Sequence, residues 1–310
     1  GTKFGRISSS ANIFGTGTNL QQIPHEVLTY FLADEGYVLY SLDMSQIENR
    51  IVAYIGNIVS LINAFEKGID SHKFTASMIL SLMGQPRTLE SITYEERQDF
   101  GKRVNHAFNY GRGYRAFSLE HEIPEREAKQ IHSAYHMTYP QLRGSYWAFV
   151  QQELKDSRTL TTLMHRKIQF LGLWSDKLLN EAYSAIPQST CGDHVNERGI
   201  EFIYYNTDPL FEPVELLTQL HDSVEIQVPL CIPITQHAHI LIEIKRSLET
   251  PLEWHGRQFV VPVDLVVGKN MNKEVGIEIK NKNFSEDIAT LATVLQSAIE
   301  RIGLRCPAIQ

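Results

Sequence analysis

Two aspartates stand at the ends of short apolar runs: Asp43 in Tyr40-Ser41-Leu42-Asp43-Met44-Ser45-Gln46-Ile47-Glu48, and Asp222 in Leu220-His221-Asp222-Ser223-Val224. Paired carboxylates suit a hard divalent cation such as Mg²⁺, and two ions about 4 Å apart leave positions open for phosphate oxygens. Taken singly, an aspartate at a strand end is weak evidence, because turn formers and helix caps are common there; two with distinctive flanks carry more. A third segment, Arg97 to Gly111, places Lys102, His106 and Tyr110 four residues apart, on one face of a helix. On such a stripe a lysine can meet a triphosphate as a point charge and an aromatic ring can stack on a base. The plainer alternative is a solvated lysine beside core aromatics.

Val38 to Leu42 reads as a buried strand, and the spacing of Ile47, Ile51, Val52 and Ile55 then switches to a helix. Helices are expected over Ile58 to Phe65, Ser71 to Met83 and Thr93 to Tyr110, the last opening on a capping box through Thr93 and Glu96. Further helices are expected from Pro124, over Gln141 to Lys155, over Lys177 to Ser184 and over Ser189 to Tyr205. Leu160 to Phe170 is more strand-like. Leu216 to Leu220 and Val224 to Val228 alternate as a hairpin turning at His221-Asp222. Thr235 to Leu248 suggests a helix and Val260 to Val267 a strand. Lys269 to Lys282 is polar and reads as a linker into an amphipathic helix carrying Ile288, Leu291, Leu295, Ile299 and Ile302. Few strands and many helices, with the key aspartates on strands separated by a helical insert, describe an α+β architecture.

At 310 residues the chain can bury a large core in one or two domains. The 43% hydrophobic and 21% charged residues, with a mean hydropathy of -0.22, exclude a disordered or fibrous chain. No apolar run approaches the roughly 18 residues of a membrane span and no signal peptide is visible, so the expected location is cytoplasmic, without a membrane partner. Cys191, Cys231 and Cys306 are far apart, which suggests reduced thiols rather than a disulfide framework or zinc site. The net charge of -7 argues mildly against a nucleic-acid coat but allows an acidic metal site beside basic patches. Gly1 in place of Met reads as a fragment or a processed chain.

Together the three segments resemble family A DNA polymerases, the group that includes bacterial DNA polymerase I and many phage replicases. Asp43, Ser45 to Glu48 and Arg50 match motif A; Lys102 and Tyr110-Gly111 match motif B; His221-Asp222 match motif C. Gly5-Arg6 with Ser8-Ser9, Asn19-Leu20-Gln21, Asp70 with His72, Thr162-Leu163 with Arg166, and Pro187-Gln188-Ser189-Thr190 extend the likeness, in order, to about Met271.

The resemblance implies a right-hand palm with an antiparallel sheet and helical fingers: residues 1–56 as the first part of the palm, 57–157 as fingers, 158–271 as the second part of the palm, and 272–310 as linker and C-terminal helix. It implies template-directed DNA synthesis with deoxynucleoside triphosphates on a primer-template, in the host cytoplasm if phage-encoded. Asp43, Asp222 and the Met44 backbone carbonyl would hold two Mg²⁺ ions, with Mn²⁺ as a substitute, and Lys102 would meet the triphosphate and protonate the leaving group. Gln46, Glu48, His72, Arg97, His106 and Tyr110 would form the nucleotide side, with Glu48 blocking a ribose 2′-oxygen. Arg6, Asn19, Arg166, Gln188, His221 and Tyr110 would contact DNA.

The chain departs from the family pattern at His106, where an aromatic is usual, at Gln98 in place of an arginine, at Ser223 in place of a motif C glutamate, and at Asn49 in place of an apolar residue. Arg97 or Arg103 is then the candidate for the missing charge at 98. A rival register puts Tyr110 and Tyr114 at the two aromatic positions but His106 at the lysine; the first register runs without gaps into Glu122-Ile123-Pro124. The family's thumb and 3′ to 5′ exonuclease are expected outside this chain, in an upstream polypeptide or a missing N-terminal part. Two other functions fit the departures or the aspartates: a polymerase-derived DNA-binding subunit with weak or no catalysis, and a two-metal nuclease. Lys102, Tyr110 and Glu48 count against the nuclease, since hydrolysis does not require them.

Overall fold

The computed structural model describes Ile23 and residues 25–305. Arg6, Asn19 and Cys306 lie outside them. In chain order the strands are β1 (Tyr37–Met44), β2 (Thr159–Thr161), β3 (Lys167–Gln169), β4 (Glu215–Leu220), β5 (Ser223–Pro229), β6 (Leu252–Trp254), β7 (Arg257–Phe259), β8 (Val263–Gly268) and β9 (Ile277–Ile279). The chain forms two compact units, one of Gly1–Ser45 with Cys191–Gln310 and one of Gln46–Thr190.

The first unit is built on an antiparallel five-stranded sheet in the order β4-β5-β1-β8-β9. β1 is central because it is apolar nearly throughout and carries a hydrogen-bonded neighbour on each side, as a doubly buried strand requires. Side chains alternate along it. Tyr40 faces the helix Ile234–Leu248, with its hydroxyl 2.8 Å from His237 Nδ1, and Val38 and Leu42 share that face. Leu39, Ser41 and Asp43 therefore occupy the other face. The helix Ile288–Arg301 buries Leu291, Leu295 and Ile299 and packs on Ile234–Leu248 and β8. Burial of each such side chain contributes about 1.5–3 kcal/mol.

The 269–282 segment differs from the expected linker. Its Ile277 and Ile279 alternate as a short edge strand, β9, which pairs with Leu265 to Val267 of β8. Asn270 bridges to Leu32, and Asn272 caps a turn of 3₁₀ helix at Lys273–Val275. A polar composition hid these pairings because only one short strand of the segment is apolar, and it pairs at the sheet edge.

The second unit is mainly helical, with a small ribbon of β2 and β3. The capping box forms as expected: Glu96 N–H donates to Thr93 Oγ1 at 3.1 Å, and Thr93 N–H to Glu96 Oε2 at 3.0 Å. The helix behind it is not continuous α-helix. Arg97–Lys102 is wound as a π-helical turn before Arg103–Asn109 resumes. Gly101 lies in that turn against the helix Ser71–Leu82, where a Cβ would come 2.2 Å from the His72 carbonyl oxygen.

Another difference concerns the gap expected between helices over Lys177 to Ser184 and Ser189 to Tyr205, which holds Pro187. One helix, Asp176–Val195, runs through it. Proline cannot donate to the carbonyl four residues earlier, here Tyr183. The buried Tyr146 hydroxyl supplies that bond instead, at 2.5 Å from Tyr183 O. Tyr146 stands in a second π-helical turn, Leu142–Trp147.

Candidate active site

In the first unit the strand register gathers the acidic groups. Asp43 lies opposite Ser223 on β5, and the Met44 N–H donates to the Asp222 carbonyl at 3.0 Å, so Asp222 in the β4–β5 turn stands beside the end of β1. His221, the first of the two turn residues, has φ 55°, where such hairpin turns favour glycine. A non-glycine residue held there is a form of local strain that often marks functional sites. Both aspartates are partly exposed; Leu42, Met44 and Ser223 beside them are buried, and His221 is exposed.

A cation already sits among them. Lys273 Nζ lies 2.8 Å from Asp43 Oδ2, 2.8 Å from Ser223 Oγ and 3.6 Å from Glu225 Oε1. Glu225, only 2% exposed, also accepts from Ser41 Oγ at 2.7 Å and lies 2.8 Å from Ser223 Oγ. Burial pulls the Lys273 pKa down, but Asp43, Glu225 and Asp222 outweigh it and the net shift is upward, so the ammonium stays charged. The position thus accepts positive charge, and its carboxylates and nearby backbone carbonyls are the donors that Mg²⁺ prefers. Among the described residues no group of three His, Cys, Asp or Glu side chains is arranged to hold a metal ion.

In the second unit a groove of about 560 Å³ is lined by Gln98, Lys102, Arg103, His106, Tyr110 and Gln188, among others. The stripe expected from spacing therefore lines one concave surface despite the π-helical turn. His106 and Tyr110 meet edge to face, with centroids 5.6 Å apart. Lys102 is exposed and has no ion pair among the described residues, unlike Arg103, paired with Asp99 at 2.6 Å, and Arg112, paired with Glu120 at 2.7 Å. Tyr110 donates its hydroxyl to the Glu48 carboxylate. Gly111 beyond it has φ 79°, a left-handed conformation that favours glycine, and a Cβ there would also crowd the Asn180 side-chain amide and the Tyr183 ring.

Arg97 does not line that groove. Its Nε donates to Asp70 Oδ2 at 2.8 Å. Asp70 caps the helix Ser71–Leu82 by accepting from the His72 and Lys73 amides. Burial alone would raise the Asp70 pKa, but Arg97 brings it below its usual value. His72 Nδ1 is 3.0 Å from Asn105 Nδ2. Burial, then the Arg97 charge, lowers the His72 pKa to about 3 against the pull of Asp70, which leaves a neutral imidazole at pH 7.

Gln46 has a left-handed backbone and accepts a hydrogen bond from Ser71 Oγ. Arg166 is exposed in the turn between β2 and β3, and Gln188 is half-buried on the helix after Pro187. Asn49 is explained by a buried chain: its Nδ2 donates to Ser71 Oγ at 2.8 Å, and its Oδ1 accepts from Asn109 Nδ2 at 3.0 Å. Asn109 Oδ1 in turn accepts from the Tyr135 hydroxyl at 2.7 Å. An apolar residue at 49 would leave Ser71 and Asn109 short of partners.

Sequence reading missed Glu225 and Lys273. For Glu225 a signal existed, because Ser223, Glu225 and Gln227 alternate with apolar residues and so share Asp43's face of the sheet. Lys273 carries no local signal; only the fold brings it to Asp43.

The family model for DNA polymerase family A matches residues 1–273. The chain is 33% identical over 245 residues to the thermostable DNA polymerase I of Thermus aquaticus, covering 74% of this chain and 27% of that protein. It is 29% identical over 243 residues to DNA polymerase I of Deinococcus radiodurans, covering 73% and 23%. The chain thus spans about a quarter of the length of these curated relatives. Its fold matches a structure described as the POL domain of Pol1 from M. smegmatis in complex with DNA primer-template and dNTP, with TM-score 0.72 and 23% identity, over 88% of this chain and 47% of that one. With the motif order, the antiparallel sheet and the family match over residues 1–273 in agreement, the chain belongs to the family A DNA polymerases.

Proposed function

We propose that this chain carries out template-directed DNA synthesis, adding deoxynucleotides to a primer 3′-hydroxyl with release of pyrophosphate. The observation that carries the reading is the register of β1 on β5, which sets Asp43 beside Asp222 through the Met44 to Asp222 hydrogen bond. In this reading the sheet unit is the palm, and the helical unit, with its Lys102 groove, is the fingers.

Asp43, Asp222 and the Met44 carbonyl would hold two Mg²⁺ ions, with Mn²⁺ able to replace them. When bound, the ions supply a lowered pKa at the primer hydroxyl and neutralise charge on the leaving pyrophosphate. Lys102, exposed and without an ion pair among the described residues, meets the triphosphate and offers a proton to the leaving group. Gln98 leaves the groove without the expected arginine, and Arg97 is committed to Asp70, so Lys102 is the lead cation there, beside Arg103 and Arg112, which are paired with Asp99 and Glu120. His72, being neutral, serves the phosphates as a hydrogen-bonding group rather than a charge. Glu48, tied to Tyr110, excludes a ribose 2′-hydroxyl. Gln188, Arg166 and His221 contact the primer-template.

The test is primer extension with Mg²⁺ and the four deoxynucleotides, beside Asp222→Ala. Extension that Asp222→Ala abolishes supports the reading. No extension with DNA binding intact would make the chain a binding subunit, and shortening of the primer would make it a nuclease.

A further inference from the structure

The motif C position that usually holds a glutamate holds Ser223, yet a carboxylate is present two residues on, along the same face of β5. Glu225 is buried to 2% and oriented by Ser41 and Ser223. A carboxylate that deep needs a counter-charge, and Lys273 provides it. The same ammonium binds Asp43 Oδ2 at 2.8 Å, so one of the two oxygens with which Asp43 could hold an ion is already engaged.

We propose that Lys273 is a resident counter-cation that competes with divalent metal at Asp43 and sets the metal concentration the site requires. It is a positioning residue, anchored by Glu225 and Ser223, and does not touch substrate. A divalent ion approaching Asp43 meets a fixed positive charge a few ångströms away, which weakens its binding. The inference rests on the metal-binding reading of Asp43 and extends it.

The experiment is direct Mn²⁺ binding, read by electron paramagnetic resonance of the free ion, on the whole chain without DNA or nucleotide. Asp43→Asn tests the underlying reading: undiminished Mn²⁺ binding there would remove Asp43 as a ligand, independently of Lys273. With Asp43 established, Lys273→Met should tighten Mn²⁺ binding at least about tenfold, and Lys273→Arg should stay near wild type. Tenfold is about 1.4 kcal/mol, less than a divalent ion and a unit charge exchange at about 4 Å even in bulk water. If stranding Glu225 unfolds Lys273→Met, the same comparison is made between Glu225→Gln and Glu225→Gln/Lys273→Met, where no buried charge is left unpaired. Unchanged or weaker Mn²⁺ binding on removal of the lysine in a folded protein overturns the proposal.

Discussion

Removing the Tyr146 hydroxyl should reveal how the helix Asp176–Val195 tolerates its internal proline. Tyr146 is fully buried, and its hydroxyl is the donor to the Tyr183 carbonyl that Pro187 cannot serve. Tyr146→Phe keeps the ring and strands that carbonyl in a buried setting, at a cost of roughly 1–3 kcal/mol. In a Pro187→Ala background the restored N–H can donate to the same carbonyl. There the Tyr146→Phe cost should fall below about 1 kcal/mol, giving a coupling of about 1–2 kcal/mol in a double-mutant cycle. Urea unfolding of the four proteins measures it, followed by circular dichroism and by tryptophan fluorescence. Trp147, stacked on Tyr183 at 4.7 Å, makes the fluorescence sensitive to this region. An equal Tyr146→Phe cost in both backgrounds would refute the compensation. Because Gln188 follows Pro187 and lines the groove, the same variants should weaken primer-template binding in step with the stability loss.

Gly101→Ala should destabilise by about 1–3 kcal/mol, since its Cβ would lie 2.2 Å from the His72 backbone oxygen and the two helices must part; a wild-type urea midpoint would contradict that packing. Glu48→Ala should raise ribonucleotide incorporation relative to deoxynucleotide, and an unchanged ratio removes Glu48 as the sugar gate. His136 has both ring nitrogens buried without hydrogen-bond partners among the described residues, and burial, then Arg143 and His132, lower its pKa to about 3. The unfolded chain, with a pKa of about 6.5, therefore takes up a proton first as pH falls, and stability drops from about pH 6.5 towards 3. His136→Phe should make the fall in melting temperature between pH 7 and pH 4.5 shallower, though not abolish it, because His72 and His237 are lowered in the same direction. Parallel curves for the two proteins would count against it.

The strand-end aspartates were legible because alternation in the sequence maps directly onto the faces of a sheet. Asp43 and Asp222 needed only a hairpin and a central strand, and both formed. The stripe of Lys102, His106 and Tyr110 was legible too, since the π-helical turn ends at Lys102 and leaves their common side intact. The gap expected around Pro187 did not form, because local rules cannot anticipate a hydroxyl arriving from residue 146. Asn49 looked like a lapse in an apolar position until Ser71 and Asn109 supplied its partners. Lys273 was invisible for the same reason: it lies 230 residues from Asp43 along the chain.

The two aspartates ride on backbones of unequal rigidity. Asp43 is on a strand hydrogen-bonded from both sides in the middle of the sheet, whereas Asp222 is in a two-residue turn at one end of a hairpin. Amide exchange should therefore be slowest along β1 and faster at the turn. The Met44 amide joins the two through its bond to Asp222 O, so its exchange rate would report how often the turn lifts away from the strand. Any adjustment of carboxylate spacing on loading the site would then come from Asp222, with Asp43 as the fixed reference.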